Sequence, residues 1–451
     1  MARNYAGTSD YFGDDCLKRQ YVLETLKKVF SLFGFEPLET PIIELKETLL
    51  GKTGGETNAQ VFNWRQGNPE TGEDIGLRFD QTVPLARVMA QYAKTLEPKM
   101  PYKRYTIGPV FRAEKPQAGR LRQFTQMDID TVGTKSVLAD AEVIALCIYA
   151  LEKLGFSDFT IELNNRKILN GLAASIGLVG KEAISLMRGW DKLGKKSTQE
   201  IEEEFEETLG KEKAKKAILL TEKLIAIDGS SEIALNSVLK VSKETEGGVL
   251  ETKSILNTLA TLGIDPEKIK FNVLLARGLD YYTGPVFEMK VLEGGAGSLG
   301  GGGRFDNLIE ALGGPSIPAT GVSFGLERMT YVLDKLNLFP TELEKTKAFV
   351  TVFEPKSESS VAYAAKITSL LRKKKINTEM YTGCEKVGAQ LAIANRKGIK
   401  YAIIAGPDEE KKGTVTIKNL SVGLSSGEKK DKEANQIEVP LAELKDNLSS
   451  I

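Results

Sequence analysis

Val22, Leu26, Val29 and Phe33 recur at spacings of four, three and four, and this predicts an amphipathic helix over residues 19–35. Pro37 and Pro41 follow it and bias the residues before them towards extended backbone, so the chain leaves the helix straightened. Short strands and helices mix from about 75 to 165. Within that stretch residues 124–130 alternate, with Gln126, Asp128 and Asp130 on one face of a predicted strand, and residues 139–154 read as a helix. The pattern becomes purely helical over 168–265, where Ile201, Phe205 and Leu209 recur at four, as do Leu220 and Leu224. Its charge blocks, Glu200–Glu207 and Lys211–Lys216, predict a helical insertion with a solvated acidic face. Strand-like, glycine-rich sequence occupies 271–328, and a helix predicted at 326–337 ends in Phe339-Pro340. Glu342–Lys347 reads as a charged linker. Beyond it Ala348–Phe353 (strand), Val361–Leu371 (helix, with Ala364 and Ile367 inward), Tyr401–Ala405 and Gly413–Lys418 (strands) predict a small α/β domain with a partly parallel sheet.

A length of 451 residues allows about three domains. There are 61 Lys+Arg against 61 Asp+Glu, which argues against a uniformly basic nucleic-acid glove and leaves local patches open. Histidine is absent from the chain. That excludes Ser-His-Asp and Cys-His triads, the HExxH zinc site and any imidazole acid–base catalyst. Cys16, Cys147 and Cys384 lie too far apart in sequence for CxxC pairs or zinc knuckles, so no zinc is expected, and they fit a reducing cytosol. No apolar run is long enough to span a membrane, and Met1–Gly7 lacks the apolar core of a secretory signal, so a cytoplasmic location is expected.

Gly295-Ala296-Gly297-Ser298-Leu299-Gly300 matches GxGxxG after a predicted strand, but a loop (Gly313–Pro318) stands where a dinucleotide fold needs its second strand. It reads instead as a close-packed turn where backbone approaches a ligand or another strand. Gly51-Lys52-Thr53 imitates the end of a P-loop, yet Lys46 occupies the position of its first glycine. Pro109–Glu114 and Arg120–Phe124 flank a basic loop, which taken alone is as well explained by a solvated hairpin. The adjoining stripe of Gln126, Asp128 and Asp130 costs stability unless it serves a site. Arg277-Gly278-Leu279-Asp280-Tyr281-Tyr282 could be an aromatic core edge, the commoner meaning in isolation. Gly321–Arg328 is a small-residue strand opening a helix, with Arg328 in the first turn. An arginine there opposes the helix dipole and hints at an anionic ligand.

Together these segments resemble the signature of the histidyl-tRNA synthetase family, among the class II aminoacyl-tRNA synthetases, nearly end to end. The helix with Pro41 resembles motif 1, Gly108–Asp130 motif 2 and Gly321–Arg328 motif 3. Ala276–Tyr282 and Gly301–Asp306 resemble the two histidine-site signatures, Leu77–Thr82 the amino-acid loop and 348–451 the anticodon-binding domain. The resemblance implies an α+β fold: a class II catalytic core over 1–340, an antiparallel sheet flanked by helices and interrupted by the 168–265 insertion, then linker 341–347 and anticodon-binding domain 348–451. It implies ATP-dependent attachment of L-histidine to tRNA(His) through a histidyl-adenylate, with Mg²⁺ on ATP and a homodimer built around motif 1. A non-catalytic paralogue, serving histidine biosynthesis or sensing uncharged tRNA, is the alternative, but such chains tend to lose Arg112, Arg277 and Arg328.

Carried over by residue, the resemblance assigns Asp80, Thr82 and Gln126 to the substrate α-amino group, with Gln81 between them, and Asp130 and Tyr282, with Tyr281 alongside, to the imidazole. Arg112 would bind the ATP α-phosphate, Arg120 the β- and γ-phosphates and Arg328 the γ-phosphate. Phe124 would stack on adenine, Glu114 would meet its exocyclic amine, and Arg277 would lie between the histidine carboxylate and the α-phosphate. For tRNA it points to Gln117 in the Lys115–Gly119 loop and to Arg372 and Arg396 in basic patches of the last domain. The Arg372–Lys375 patch is equally a solvated helix end. Thr125 stands where many family members carry histidine, and its phase predicts that it faces away from the substrate. In such a family the absence of histidine has two readings, drift or codon bias, or a chain that needs none of its own product to be translated. Its synthesis in a histidine-depleted translation extract is expected to continue while a histidine-containing control stalls, and equal stalling would end the idea.

Overall fold

The computed structural model describes residues 2–50, 60–115, 121–193, 196–276, 281–293, 297–341, 343, 345–421 and 435–444. They divide into two compact units, Met1–Phe339 and Pro340–Ile451.

In the first unit β1 (Glu36–Pro37) edges the main sheet. β2 (Ile43–Leu45), β3 (Asn63–Gln66) and β4 (Glu73–Leu77) form a separate antiparallel sheet in the order β2-β4-β3. The main sheet continues with β5 (Tyr102–Phe111), β6 (Gln123–Val132), β7 (Phe159–Asn165), β8 (Ile269–Phe271), β9 (Pro285–Val291), β10 (Ser298–Arg304) and β11 (Ala319–Gly325). Its order is β1-β5-β6-β11-β10-β9-β7-β8. The six central strands are antiparallel, while β1 on β5 and β8 on β7 are parallel, so the sheet is mixed at both edges. The stretch after the GxGxxG-like run is strand β10 rather than a helix, which fits a strand-to-strand turn and not a dinucleotide turn.

Period-two alternation gives the central strands two unlike faces. On one, Met127, Ile129, Val322, Phe324, Phe287, Met289, Ile161 and Leu163 form a single core with Val22, Leu26, Val29 and Phe30 of the Asp14–Leu32 helix. The Val137–Lys153 helix lies in the same core and is buried along most of its length. Its start is capped by the Ser136 side chain, which accepts from the Leu138 amide. Leu326, Met329, Val332 and Leu333 of the Leu326–Lys335 helix complete it. The opposite face carries Arg104 and Thr106 on β5, Gln126, Asp128 and Asp130 on β6, and Gly321 and Ser323 on β11. Register aligns them as Arg104–Asp130–Gly321 and Thr106–Asp128–Ser323.

Six helices between Arg166 and Thr261 build a second core, with Trp190 and Phe205 buried and the Trp190 indole N–H donating to Thr221 Oγ1 at 2.9 Å. The second unit is a sheet of β12 (Ala348–Val350), β13 (Thr378–Met380), β14 (Tyr401–Ile404), β15 (Thr414–Asn419) and β16 (Gln436–Pro440) in the order β13-β12-β14-β15-β16. β12 is parallel to β13 and β14, and the other pairs are antiparallel. The Glu358–Lys373 helix packs Ile367 and Leu371 into the core of that unit.

Phe324 has no exposure, and its ring centroid lies 5.8 Å from that of Phe30. Phe324→Ala is expected to remove about 3–5 kcal/mol from the first unit. A urea titration followed by tryptophan fluorescence checks this, the midpoint moving to lower urea.

Candidate active site

A face of polar side chains under a folded sheet is tolerable only if each group is paired or awaits a partner. At its centre lies Arg104, whose side chain has no exposure. Its Nη2 meets Asp130 Oδ2 at 2.6 Å and donates to the Gln81 carbonyl at 3.1 Å, while Nε and Nη1 find no hydrogen-bond partner among the described residues. Three glycines make room for the polar groups. A Cβ at Gly321 would collide with the Asp130 carboxylate, one at Gly108 with the Arg78 guanidinium, and one at Gly303 would stand 2.9 Å from the Tyr282 ring.

The Asp80–Thr82 loop closes one side. Arg78 ties it down, donating from Nε to the Pro109 carbonyl at 2.9 Å and from Nη1 to the Thr40 carbonyl at 3.0 Å. Burial lowers the pKa of Arg78. Asp80 Oδ1 accepts from the Val83 amide at 3.0 Å at the start of the Thr82–Leu96 helix, and Gln81 Nε2 donates to the Gly108 carbonyl at 3.2 Å. Asp80 Oδ2, Gln81 Oε1 and Gln126 Oε1 remain buried acceptors with no partner among the described residues. Unpaired buried acceptors call for a donor-rich, cationic ligand. Tyr281 and Tyr282 pack edge to face at 5.0 Å, Tyr281 reaches Phe305 at 5.9 Å, and burial raises the Tyr281 phenol well above its usual range.

Three carboxyls share this pocket. Burial pushes Asp80 up to about 6 against the opposing pull of the Val83 amide and of Arg112 and Arg104. It pushes Asp130 up to about 6, with Arg104 holding it back. Asp128, bonded by the Ser323 hydroxyl at 2.6 Å, is pushed furthest, to about 8, by burial and by its neighbour Asp130.

At the outer end of the same strands, Arg112 donates from Nε to the Phe79 carbonyl at 3.2 Å, and its guanidinium lies 5.1 Å from the Phe124 ring centroid. Glu114 is half-buried, and its carbonyl accepts from Arg122 Nε at 2.9 Å. Arg328, in the first turn of the Leu326–Lys335 helix, donates to the Ser298 carbonyl at 2.8 Å. Thr125 points the other way: its Oγ1 accepts from Arg19 at 3.2 Å and its amide donates to Glu327 at 3.0 Å. Asp80, Gln81, Thr82, Gln126, Asp130, Tyr281 and Tyr282 are therefore brought together on one side of the sheet, with Arg112 and Phe124 at its outer end. Arg120, Gln117 and Arg277 lie outside the described residues. In the second unit Arg372 donates to the Thr378 carbonyl at 3.2 Å, and Arg396 is exposed in the last turn of the Val387–Arg396 helix.

Sequence reasoning gave no role to Arg104, to Arg78, or to the buried Arg304–Asp140 pair (2.6 Å) that anchors β10 to the Val137–Lys153 helix. A signal for Arg104 exists. Counting back by twos from Arg112 while counting on from Arg122 brings Arg104 opposite Asp130.

A histidyl-tRNA synthetase family model matches residues 7–329 and an anticodon-binding-domain model residues 347–451. The histidine–tRNA ligase of Rhodopirellula baltica is 38% identical over 425 residues, covering 93% of each chain. That of Gloeobacter violaceus is 37% identical over 443 residues, 92% of this chain and 94% of the relative. The crystal structure of histidyl-tRNA synthetase from Nostoc sp. PCC 7120 superposes with a TM-score of 0.80 at 28% identity, covering 99% of both chains.

The raised carboxyls carry a sign for stability. Between the ordinary aspartate pKa and about 8, folded Asp128 holds a proton that the unfolded chain has released, so stability falls as pH rises through that window. Asp128→Asn removes this loss. Its urea midpoint is expected to gain on the wild type steadily from about pH 5 to pH 8; a constant difference would show that Asp128 titrates normally.

Proposed function

The chain belongs to the histidyl-tRNA synthetase family and charges tRNA with histidine, and we propose that the pocket beneath Gly321 and the loop Asp80–Thr82 is where histidine is read. The observation that carries this reading is the set of unpaired buried acceptors, Asp80 Oδ2, Gln81 Oε1 and Gln126 Oε1, beside Asp130 and two tyrosines. An α-ammonium offers three donors to those acceptors. The imidazole offers one N–H, which the Asp130 carboxylate accepts, and one bare nitrogen, to which a phenol of Tyr281 or Tyr282 donates. A site built on such bonds rejects an amino acid lacking them by roughly 10⁴–10⁵, so specificity needs no separate editing step.

ATP is the second substrate, and Mg²⁺ comes with it as counter-ion to the pyrophosphate. The chain's own contribution to the phosphates is cationic: Arg112 and Arg277 at the α-phosphate, Arg120 and Arg328 further along, with Phe124 under the adenine and Glu114 at its exocyclic amine. A fixed guanidinium stacked over an aromatic ring, as Arg112 is over Phe124, is already oriented for a phosphate oxygen. In the first step the histidine carboxylate, ionised at neutral pH, attacks the α-phosphorus and pyrophosphate leaves. No general base is required, which suits a chain without histidine. In the second a hydroxyl of the tRNA terminal ribose attacks the activated carbonyl carbon, AMP leaves, and a phosphate oxygen of the adenylate takes the proton.

For tRNA(His), the reading assigns Gln117 to the acceptor end and Arg372 and Arg396 to phosphates bound by the 347–451 domain. The non-catalytic alternative is not favoured, since curated relatives spanning over nine-tenths of the chain carry the ligase name. A homodimer is supported by the small sheet, where Ile43, Leu45 and Trp64 are 50%, 41% and 39% exposed while Glu44 turns inward to Arg87 at 2.7 Å. Apolar residues outward and a charge inward describe a face that another surface covers. We assign the protein to the cytoplasm; among the described residues no helix is long and apolar enough to cross a membrane.

Histidine-dependent exchange of pyrophosphate into ATP tests the reading. Histidine alone among the amino acids is expected to support exchange, and Asp130→Asn to lose it while the KM for ATP changes little. Wild-type exchange by Asp130→Asn at low histidine would remove Asp130 from the pocket.

A further inference from the structure

Arg104 does not line the pocket; it lies behind it. Its guanidinium is wholly buried, and the side chains facing it carry mixed charge: Asp130 and Asp128 on β6, Asp80 and Arg78 on the amino-acid loop, and the Tyr102 phenol on its own strand. β11, on the other side of Asp130, offers Gly321 and no ionisable group. Two of its links reach separate parts of the site. The Asp130 carboxylate belongs to the hairpin, whereas the Gln81 carbonyl belongs to the loop that presents Asp80 and Thr82.

We propose that Arg104 is a positioning residue for histidine recognition: it holds the Asp130 carboxylate as the anion that accepts from the imidazole N–H, and pins that carboxylate to the loop that receives the α-amino group. The proposal rests on the assignment of Asp130 to the imidazole. Its physical basis is the cost of a buried anion. Asp130 is 3% exposed and, apart from the ligand, Arg104 is the cation that meets it at ion-pair distance among the described residues. A neutral carboxylic acid at that position would offer a hydroxyl proton where the imidazole also brings a proton, and the two donors would oppose each other. The bond to Gln81 adds a distance constraint. A single nitrogen, Nη2, touching both elements keeps the imidazole acceptor and the ammonium acceptors at the fixed separation that a histidine requires.

Arg104→Gln leaves burial acting on Asp130 unopposed, so its carboxyl moves further above about 6 and its ionised fraction at neutral pH falls. The KM for histidine in pyrophosphate exchange is expected to rise by about tenfold or more near pH 7. Its ratio to the wild-type KM should fall back as pH is raised from about 6.5 to 8.5, because the carboxylate reionises. The KM for ATP should stay within about twofold of wild type. Arg104→Gln combined with Asp130→Asn should raise the histidine KM by clearly less than the product of the two single effects, because Arg104 acts largely through that carboxylate. Arg104→Lys keeps the charge, but its shorter side chain has no Nη2 to meet both Asp130 and the Gln81 carbonyl, so it should raise the histidine KM with a wild-type pH dependence. It also supplies the measurement if Arg104→Gln cannot be purified folded. For Arg104→Gln, a histidine KM ratio flat with pH, equal losses for ATP and histidine, or additive effects in the double variant would reduce Arg104 to a packing residue and overturn the proposal; for Arg104→Lys, an unchanged histidine KM would do so. If Asp130→Asn itself left the histidine KM unchanged, the assignment of Asp130 would be what failed; a response to Asp130→Asn with none to Arg104→Gln would sink the present inference alone.

Discussion

A guanidinium without exposure, paired at 2.6 Å with a carboxylate almost as deeply buried, is the constraint around which the first unit is arranged. Removing either member of such a pair costs ~3–5 kcal/mol because it strands the other charge. The pair therefore fixes the β5–β6 register, with Arg104 opposite Asp130, and it requires β11 to carry no side chain at Gly321 where the carboxylate sits. The same pair reaches the loop between β4 and the Thr82–Leu96 helix through the Gln81 carbonyl. Hairpin, loop and glycine row are one electrostatic unit.

That unit works because the sheet separates two kinds of order. Its core face is packed hydrocarbon against helices and supplies rigidity without direction. Its polar face supplies direction: donors and acceptors held in fixed places, in a setting where burial raises Asp80, Asp128 and Asp130 above the ordinary carboxylate range. Such preorganised charge is worth more than the same groups in water, since nothing must reorient during the reaction. It also explains how an enzyme can dispense with imidazole. Its nucleophile arrives ionised, and the chain has only to place it and to neutralise the phosphates.

Part of the candidate site was legible in the sequence as local pattern. Alternation over 124–130 placed Gln126, Asp128 and Asp130 on one face, and the same phase turned Thr125 towards Arg19 and Glu327, on the opposite side. The Asp80–Thr82 loop and the paired tyrosines stood out only through the family resemblance; taken alone, Tyr281-Tyr282 reads as an aromatic core edge. Arg104 was not, because an arginine between Lys103 and Tyr105 reads as a solvated strand residue. Asp140 and Arg304 were opaque for the same reason, being far apart in sequence until the sheet and a helix close on them.

The sequence by itself determined the alternation of elements, the helical character of about 168–265, the α/β character of the last hundred residues and the chemistry excluded by the absence of histidine. These depend on periodicity and composition, which are properties of neighbouring residues. Tertiary structure alone decided which charges are buried together, which acceptors are left open for a ligand, and how far each carboxyl is shifted. Those depend on desolvation and on distances across strands, and neither exists until residues remote in the chain have excluded water from one another.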